Sequence, residues 1–551
     1  MSTHKAIPPL LLLLFWAISL AYLERFPLLH NDEVAIMAAG YKLFWRGVYG
    51  LDMYAGLYGR EAIYLEVMPL MPWLQGLGSR LWGVGVWQMR LLPVLCGLFT
   101  LSLAFTLART LAGWLAGILA MSLLLAWQWS PGGAEFFYSG VALVDLVRIG
   151  RYDILIAPLS LLIMLTWMIA YRSSPFVVGT SVPFGRTAMN RLLQTGTAIN
   201  RLLRTRGTRL YLLCGIWIGL AGLANLYGLF WLVVMVVFWL ASQKSDFSKK
   251  SDFSKSHLAA ILLGCFGVMS VWLIMVLTHW AEFQGQFGNM HQVRFDLFSP
   301  AFYVNNITAE LQRYSLGIGE PGMWTRLGFW LVVIGLPLTL AWLGWRVLRR
   351  KDWPAFWLLV PCLLLPILLA LLVQKKQFAY LLLVLPLWAI ALAWGLASLY
   401  QSRGGVGRIL VLLLVGLMVW EGVAAWRQLA DTAVQTPSPI PFFAELREMV
   451  PADGRIVGPQ TYWLAFPGRE YRSFILPLLL AHPRSPDPIP LEAAFDQVAS
   501  DVVLVTPIVR HWLTLQGEEA HFWQIMADHN AELMAELPAY DGGTVQIYQL
   551  R

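Results

Sequence analysis

Long apolar runs, recurring from the N-terminus to about residue 426, restrict what this chain can fold into more than any other feature. Such runs match the roughly 30 Å of hydrocarbon that a helix must cross, where every backbone polar group has to be satisfied within the segment. They fall at 7–23, 86–107, 112–129, 154–171, 210–223, 228–243, 258–279, 326–345, 354–373, 378–399 and 409–426. The pattern predicts an α-helical polytopic membrane protein with about eleven transmembrane helices. The composition fits: 58% hydrophobic and 13% charged, with a mean hydropathy of +0.61. The first run is longer than the apolar part of a secretory signal and lacks a small-residue cleavage site, so it reads as an uncleaved helix.

A net charge of +8 invites a nucleic-acid reading, but the basic residues sit in short loops between apolar runs. That placement is the signature of membrane topology, and no nucleic-acid partner is expected. The stretch 210–243 admits one long span or two short helices turning at Asn225. Two helices put Arg109, Arg172 through Arg209, Lys244 through Lys255, Arg346 through Lys351, and Arg403 with Arg408 on one side. The positive-inside rule makes that side cytoplasmic. Residues 24–85, 130–153, 280–325, 374–377 and those after about 428 are then extracytoplasmic. Two of the basic loops hold near-duplications, Asn190-Arg191-Leu192-Leu193 with Asn200-Arg201-Leu202-Leu203 and Ser245 to Lys249 with Ser251 to Lys255. These are local duplications in tolerant loops. Cys96, Cys214, Cys265 and Cys362 all lie in apolar runs without metal-ligand spacing and read as small buried hydrophobes.

The chain changes character near residue 431, dividing into a transmembrane domain, 1–430, and a small extracytoplasmic α/β domain, 431–551. Pro437, Pro439 and Pro441 suggest a linker, Phe442 to Met449 a polar helix, and 455–457, 501–506 and 544–550 strands.

Within this apolar frame, charges on the outer side stand out, because carboxylates and cations near a bilayer are costly without a function or a partner. Asp32 and Glu33 follow the first apolar run, at the start of a helical pattern over 35–45; a second amphipathic, tryptophan-flanked helix is expected over 70–82. A cap by Asn31-Asp32 accounts for one acid at a helix start but not for the further outer charges Glu66, Arg148, Arg151 and Asp153. Lys375-Lys376 places two cations in a minimal outer loop, where a lipid phosphate is their natural partner.

Taken together, these residues resemble a C-type, membrane-embedded glycosyltransferase of the protein O-mannosyltransferase and aminoarabinose-transferase group. The resemblance covers roughly 1–430. It rests on Asn31-Asp32-Glu33, on Glu66 with Pro69-Leu70 and Trp73, and on Gly83 with Arg90-Leu91. Arg151-Tyr152-Asp153 and Lys375-Lys376 with Tyr380-Leu381 and Pro386 complete it. Val67-Met68 departs from the Lys-Pro of the family. His291-Gln292-Val293-Arg294-Phe295 fits a stretch of the aminoarabinose subgroup that lies, with the early Glu, near a metal.

The resemblance implies a polyprenyl-phosphate-linked sugar donor and a lipid, glycan or protein acceptor. The expected chemistry is an inverting displacement at the anomeric carbon. Asp32 is the expected general base, Glu33 positions it or the sugar, and Asp153 orients the acceptor or an arginine. Lys375, Lys376, Arg151 and Tyr380 are expected at the donor phosphate, and Glu66, His291 and Arg294 near substrate or metal. A divalent metal is compatible with this set but not required by it, and no other cofactor is expected. The rival class, a flippase for lipid-linked saccharides, calls for charges at mid-membrane depth and half-to-half repeats. A glycan ligase is the nearer alternative.

Overall fold

The computed structural model describes residues 3–128, 138–172, 196–243, 253, 255–289, 298–315, 326–402, 404–483, 485, 487–498 and 500–551, with no side chains from 172 to 207. His291, Arg294 and most of the two duplicated stretches lie outside the described residues. The first helices in chain order are α1 (Ile7–Leu20), α2 (Asn31–Arg46), α3 (Leu70–Trp82), α4 (Val86–Ala112), α5 (Trp114–Ala126), α6 (Ile156–Arg172) and α7 (Gly196–Ala224). After them come α8 (Phe230–Gln243), α9 (Lys255–Thr278), α10 (Pro300–Ser315), α11 (Leu336–Arg350), α12 (Trp353–Leu372), α13 (Leu385–Gln401), α14 (Gly405–Gln435) and α15 (Pro439–Met449).

Among the described residues, seven helices are long and apolar enough to cross a membrane: those over 86–112, 152–171, 226–243, 255–278, 327–350, 353–372 and the segment containing α14. Four shorter apolar helices, Ile7–Leu20, Trp114–Ala126, Thr208–Ala224 and Leu385–Gln401, occupy the other expected runs. The ambiguous stretch 210–243 is broken. Its first helix ends at Ala224, Asn225 is extended (φ −161°), and a 3-10 turn over Leu226–Leu229 leads into α8. The turn folds tightly onto the helix it leaves, since a methyl at Gly228 would lie 2.3 Å from the Ala221 carbonyl oxygen. All four cysteines are buried and unpaired.

The loop 24–85 carries α2 and α3. Helices α2 and α3 meet backbone to backbone: a methyl at Gly40 would fall 2.0 Å from the Pro72 oxygen, and one at Gly76 2.3 Å from the Gly40 oxygen. Only residues without side chains permit that approach. The contact fixes α2 and α3 as one unit.

After α14 the chain forms a five-stranded sheet in the order β2-β1-β3-β5-β4. The strands are β1 (Ile456–Gly458), β2 (Tyr471–Ser473), β3 (Val502–Val505), β4 (Glu532–Pro538) and β5 (Thr544–Gln549). β1 runs parallel to β2 and β3, while β5 lies antiparallel to both β3 and β4. The expected strands at 455–457, 501–506 and 544–550 are β1, β3 and β5. The other two differ from expectation for separate reasons. β2 is only three residues long. β4 reads Glu-Leu-Met-Ala-Glu-Leu-Pro, a run of good helix formers that pairing with β5 overrides. The prolines at 437–441 do not form a linker. Ser438 caps α15 and Pro439 opens its first turn, where a missing N–H costs nothing.

Candidate functional site

Asp32 lies in the first turn of α2, yet it does not serve as the cap. The cap is His30, whose Nδ1 accepts from the Asp32 amide at 3.1 Å, while Glu33 reaches back to accept from the His30 amide at 3.0 Å. This reciprocal capping box leaves the Asp32 carboxylate to other work. Glu33 is committed to the interior. It is fully buried in a bidentate pair with Arg90 (2.9 and 2.8 Å) and also accepts from the Gly150 amide at 2.7 Å. Arg90 further donates to the carbonyls of Leu23 and Pro27, each at 2.9 Å. Glu33 thus locks α2 to α4 and to the loop before Arg151, and it does not line the cavity described next. The role expected of it, positioning Asp32 or the sugar, would be exercised from outside the cavity lining.

At one end of the helical bundle a cavity of about 660 Å³ gathers Asp32, Glu66, Arg151, Lys375 and Tyr380 from five separate segments. Its volume lies within the range typical of small-molecule sites, roughly 300–1,000 Å³. Tyr64, Tyr152, Asn225, Tyr227, Gln374 and Gln377 add polar edges, and Ile36, Met68, Phe230, Phe287, Leu372 and Val373 supply apolar wall. A mixed lining of this kind suits a ligand that is charged at one end and greasy at the other.

Arg151 is the hub. Its Nη1 donates to Asp32 Oδ2 at 2.7 Å, its Nε to Asp153 Oδ2 at 3.0 Å and its Nη2 to Gln377 Oε1 at 2.8 Å. Burial opposes the charge of this guanidinium, but the carboxylates of Asp153 and Asp32 outweigh burial and hold it firmly protonated. Asp153 is itself buried and accepts from the Tyr227 hydroxyl at 3.0 Å, while Asn225 approaches it at 3.5 Å. Asp153 thus bonds the arginine and is not among the cavity-lining residues. Tyr227 packs on Tyr380, ring centroids 4.9 Å apart, which links the helix break at Asn225 to the wall of the cavity.

The two lysines part company. Lys375 is exposed, lines the cavity and makes no hydrogen bond or ion pair with any described residue. Lys376 turns inward. Its Nζ caps the end of α12 by donating to the carbonyls of Leu369 (2.8 Å) and Ala370 (3.0 Å), and it pairs with Glu310 at 3.3 Å. Burial pulls its pKa below the usual lysine value, with Glu310 pulling the other way. Of the two lysines expected at the donor phosphate, Lys375 lines the cavity and Lys376 holds its loop. Arg313, paired with Glu310, donates to the Gln377 carbonyl at 3.1 Å, so α10 braces the whole 372–377 segment.

Glu66 pairs with buried Arg60 at 2.6 Å. The strand of loop before it is fastened by Gln286, which accepts from the Leu65 amide and donates to the carbonyls of Tyr58 and Ile63. Arg148 is placed outside the cavity lining, where it donates to the carbonyls of Ile18, Ser19, Ala21 and Phe26 and so caps α1. Among the described residues, no three His, Cys, Asp or Glu side chains converge as a metal group. Asp32 and Glu66 are each engaged by an arginine.

Several members of the site were not singled out from the sequence. Asn225 and Tyr227 had a signal, the polar break inside an apolar stretch. Gln377 sits beside the lysine pair. Gln286 and Arg60 have no local signature, since a buried polar side chain looks like any loop residue until its partners are known.

No family model and no curated protein sequence matches this chain. Solved structures do. ArnT from Cupriavidus metallidurans bound to undecaprenyl phosphate superposes with a TM-score of 0.60 at 14% identity, covering 100% of this chain and 98% of that one. The oligosaccharyltransferase AglB from Archaeoglobus fulgidus, in complex with an inhibitory peptide and a dolichol-phosphate, gives 0.55 at 12% identity, covering 91% and 69%. The chain thus has the membrane-embedded fold that ArnT and the archaeal oligosaccharyltransferase share.

Proposed function

We propose that this protein is a membrane glycosyltransferase that moves a sugar from a polyprenyl-phosphate donor to an acceptor hydroxyl. One observation carries the reading: a single cavity presents a carboxylate, Asp32, beside two cations, Arg151 and Lys375, within an apolar wall. The fold supports it, since the similar ArnT structure is bound to undecaprenyl phosphate and an AglB structure to dolichol-phosphate.

In this mechanism Asp32 takes the proton of the acceptor hydroxyl as that oxygen attacks the anomeric carbon. The bond from that carbon to the phosphate oxygen breaks, and its electron pair leaves with the lipid phosphate. Lys375 and Arg151 stabilise the charge that grows there. Asp153, Tyr227 and Gln377 hold the Arg151 guanidinium in place, so no reorganisation is needed during reaction. A one-step displacement inverts the anomeric centre. Incubation of purified protein with radiolabelled polyprenyl-phosphate sugars tests the reading, and label should appear on an acceptor.

The reading also assigns the cavity to the outer face, with residues 1–430 as the transferase unit and 431–551 as an extracytoplasmic domain. The basic loops supply the argument. Cysteines introduced near positions 200 and 540 check it with a membrane-impermeant reagent in intact cells. Labelling near 540 alone is expected, and labelling near 200 alone would reverse the orientation.

A further inference from the structure

The sheet segment that follows α14 meets the loop 24–85 at several points, Arg46 donating to the Gly468 carbonyl and Arg472 to the Asp52 carbonyl among them, and one side chain reaches toward both carboxylates of the cavity. Gln460 is 5% exposed and lies in the 3-10 turn Gln460–Ala465, just after β1. Its Nε2 donates to the Asn31 carbonyl oxygen at 2.8 Å, one residue before Asp32. Its Oε1 accepts from the Tyr54 hydroxyl at 2.7 Å. The Tyr54 ring in turn lies against the Arg60 guanidinium, 5.0 Å from its centroid, and Arg60 pairs with Glu66. Burial raises the Tyr54 phenol to about 12, so it stays a proton donor to Gln460 across the working pH range. One amide therefore engages both arms of the acidic rim, the turn carrying Asp32 and the relay carrying Glu66. Gln460 itself bonds neither Arg151 nor Lys375, and Arg151 is held independently by Asp153 and Gln377.

We propose that Gln460 is a positioning residue through which the C-terminal segment sets the geometry of the two cavity carboxylates. The proposal rests on the transferase reading above. It gives the C-terminal segment a part in the chemistry that requires no contact with substrate. A glutamine is suited to the task because its amide donates from the nitrogen and accepts at the oxygen, whereas the glutamate carboxylate only accepts.

The test uses the full-length protein in nanodiscs. Gln460→Leu keeps the volume and removes both bonds. Turnover is expected to fall at least about tenfold, while the dissociation constant for polyprenyl phosphate, held by Lys375 and Arg151, stays within about twofold. Gln460→Glu keeps the bond from Tyr54 but sets a carboxylate against the Asn31 carbonyl, so it cuts the Asp32 arm alone. Tyr54→Phe keeps the ring over Arg60 and cuts the Glu66 arm alone. Adding Tyr54→Phe to Gln460→Leu removes the orphaned hydroxyl, so the double variant is expected to lose less than the two single losses combined. Strict additivity, or a turnover in Gln460→Leu within about twofold of the parent, would overturn the proposal. Parallel loss of lipid-phosphate binding would also overturn it, because that marks general disruption. Parent protein that binds polyprenyl phosphate without consuming any donor sugar would instead strike down the transferase reading itself.

Discussion

Asp32→Asn is expected to lower turnover at least about a hundredfold, the low end for loss of a general base, with fold and lipid-phosphate affinity retained. The structure explains why the effect should be so selective. Capping of α2 belongs to His30 and Glu33, so the helix start does not depend on the Asp32 carboxylate. The amide oxygen of asparagine can still accept from Arg151, whose place is also fixed by Asp153 and Gln377. What disappears is the capacity to take a proton. Single-turnover kinetics with saturating donor, alongside equilibrium binding of polyprenyl phosphate, measures both quantities. Near-normal turnover in the variant would remove Asp32 from the role of base.

Lys375→Gln is expected to weaken polyprenyl-phosphate binding by about tenfold or more, since a charge-assisted hydrogen bond is worth roughly 1.5–3 kcal/mol. Lys375 is the exposed cation of the cavity with no partner among the described residues, so its charge is available to a ligand. Lys376 serves as the internal comparison. It is bound to two carbonyls and Glu310, and Lys376→Gln should act on loop stability with a smaller effect on affinity. Titration of labelled lipid phosphate into each variant separates the two residues. Equal affinity in Lys375→Gln and parent would leave this lysine an anchor and move the phosphate site to Arg151 and its neighbours.

How much of this was legible in the sequence depends on the length scale of the signal. Apolar runs are long, and the helices follow them closely; Leu70–Trp82 falls on the expected helix, and the break at Asn225 is where a polar residue interrupts a hydrophobic stretch. Asp32, Glu66, Arg151 and Lys375 were legible as site candidates from charge set against the expected topology, and Tyr380 from the family resemblance, and the five do share a cavity. The direction in which each side chain points was not legible. Glu33 and Lys376 neighbour Asp32 and Lys375 in sequence, but a helix turn and a tight loop rotate adjacent residues apart, and buried partners, Arg90 and Glu310, claim them. Gln286, Gln377 and Gln460 were invisible for a related reason. Their importance lies in partners hundreds of residues away in the chain.

The central claim is that the cavity breaks the bond between sugar and lipid phosphate, and does not merely carry the intact lipid across the membrane. A donor labelled with ³²P in the phosphate and ³H in the sugar, given to the protein in proteoliposomes, tests this most directly. The labels are expected to part: ³²P stays with free polyprenyl phosphate while ³H passes to acceptor, and Asp32→Asn abolishes the separation. Labels that remain together while the lipid changes leaflet would contradict the account and identify a transporter.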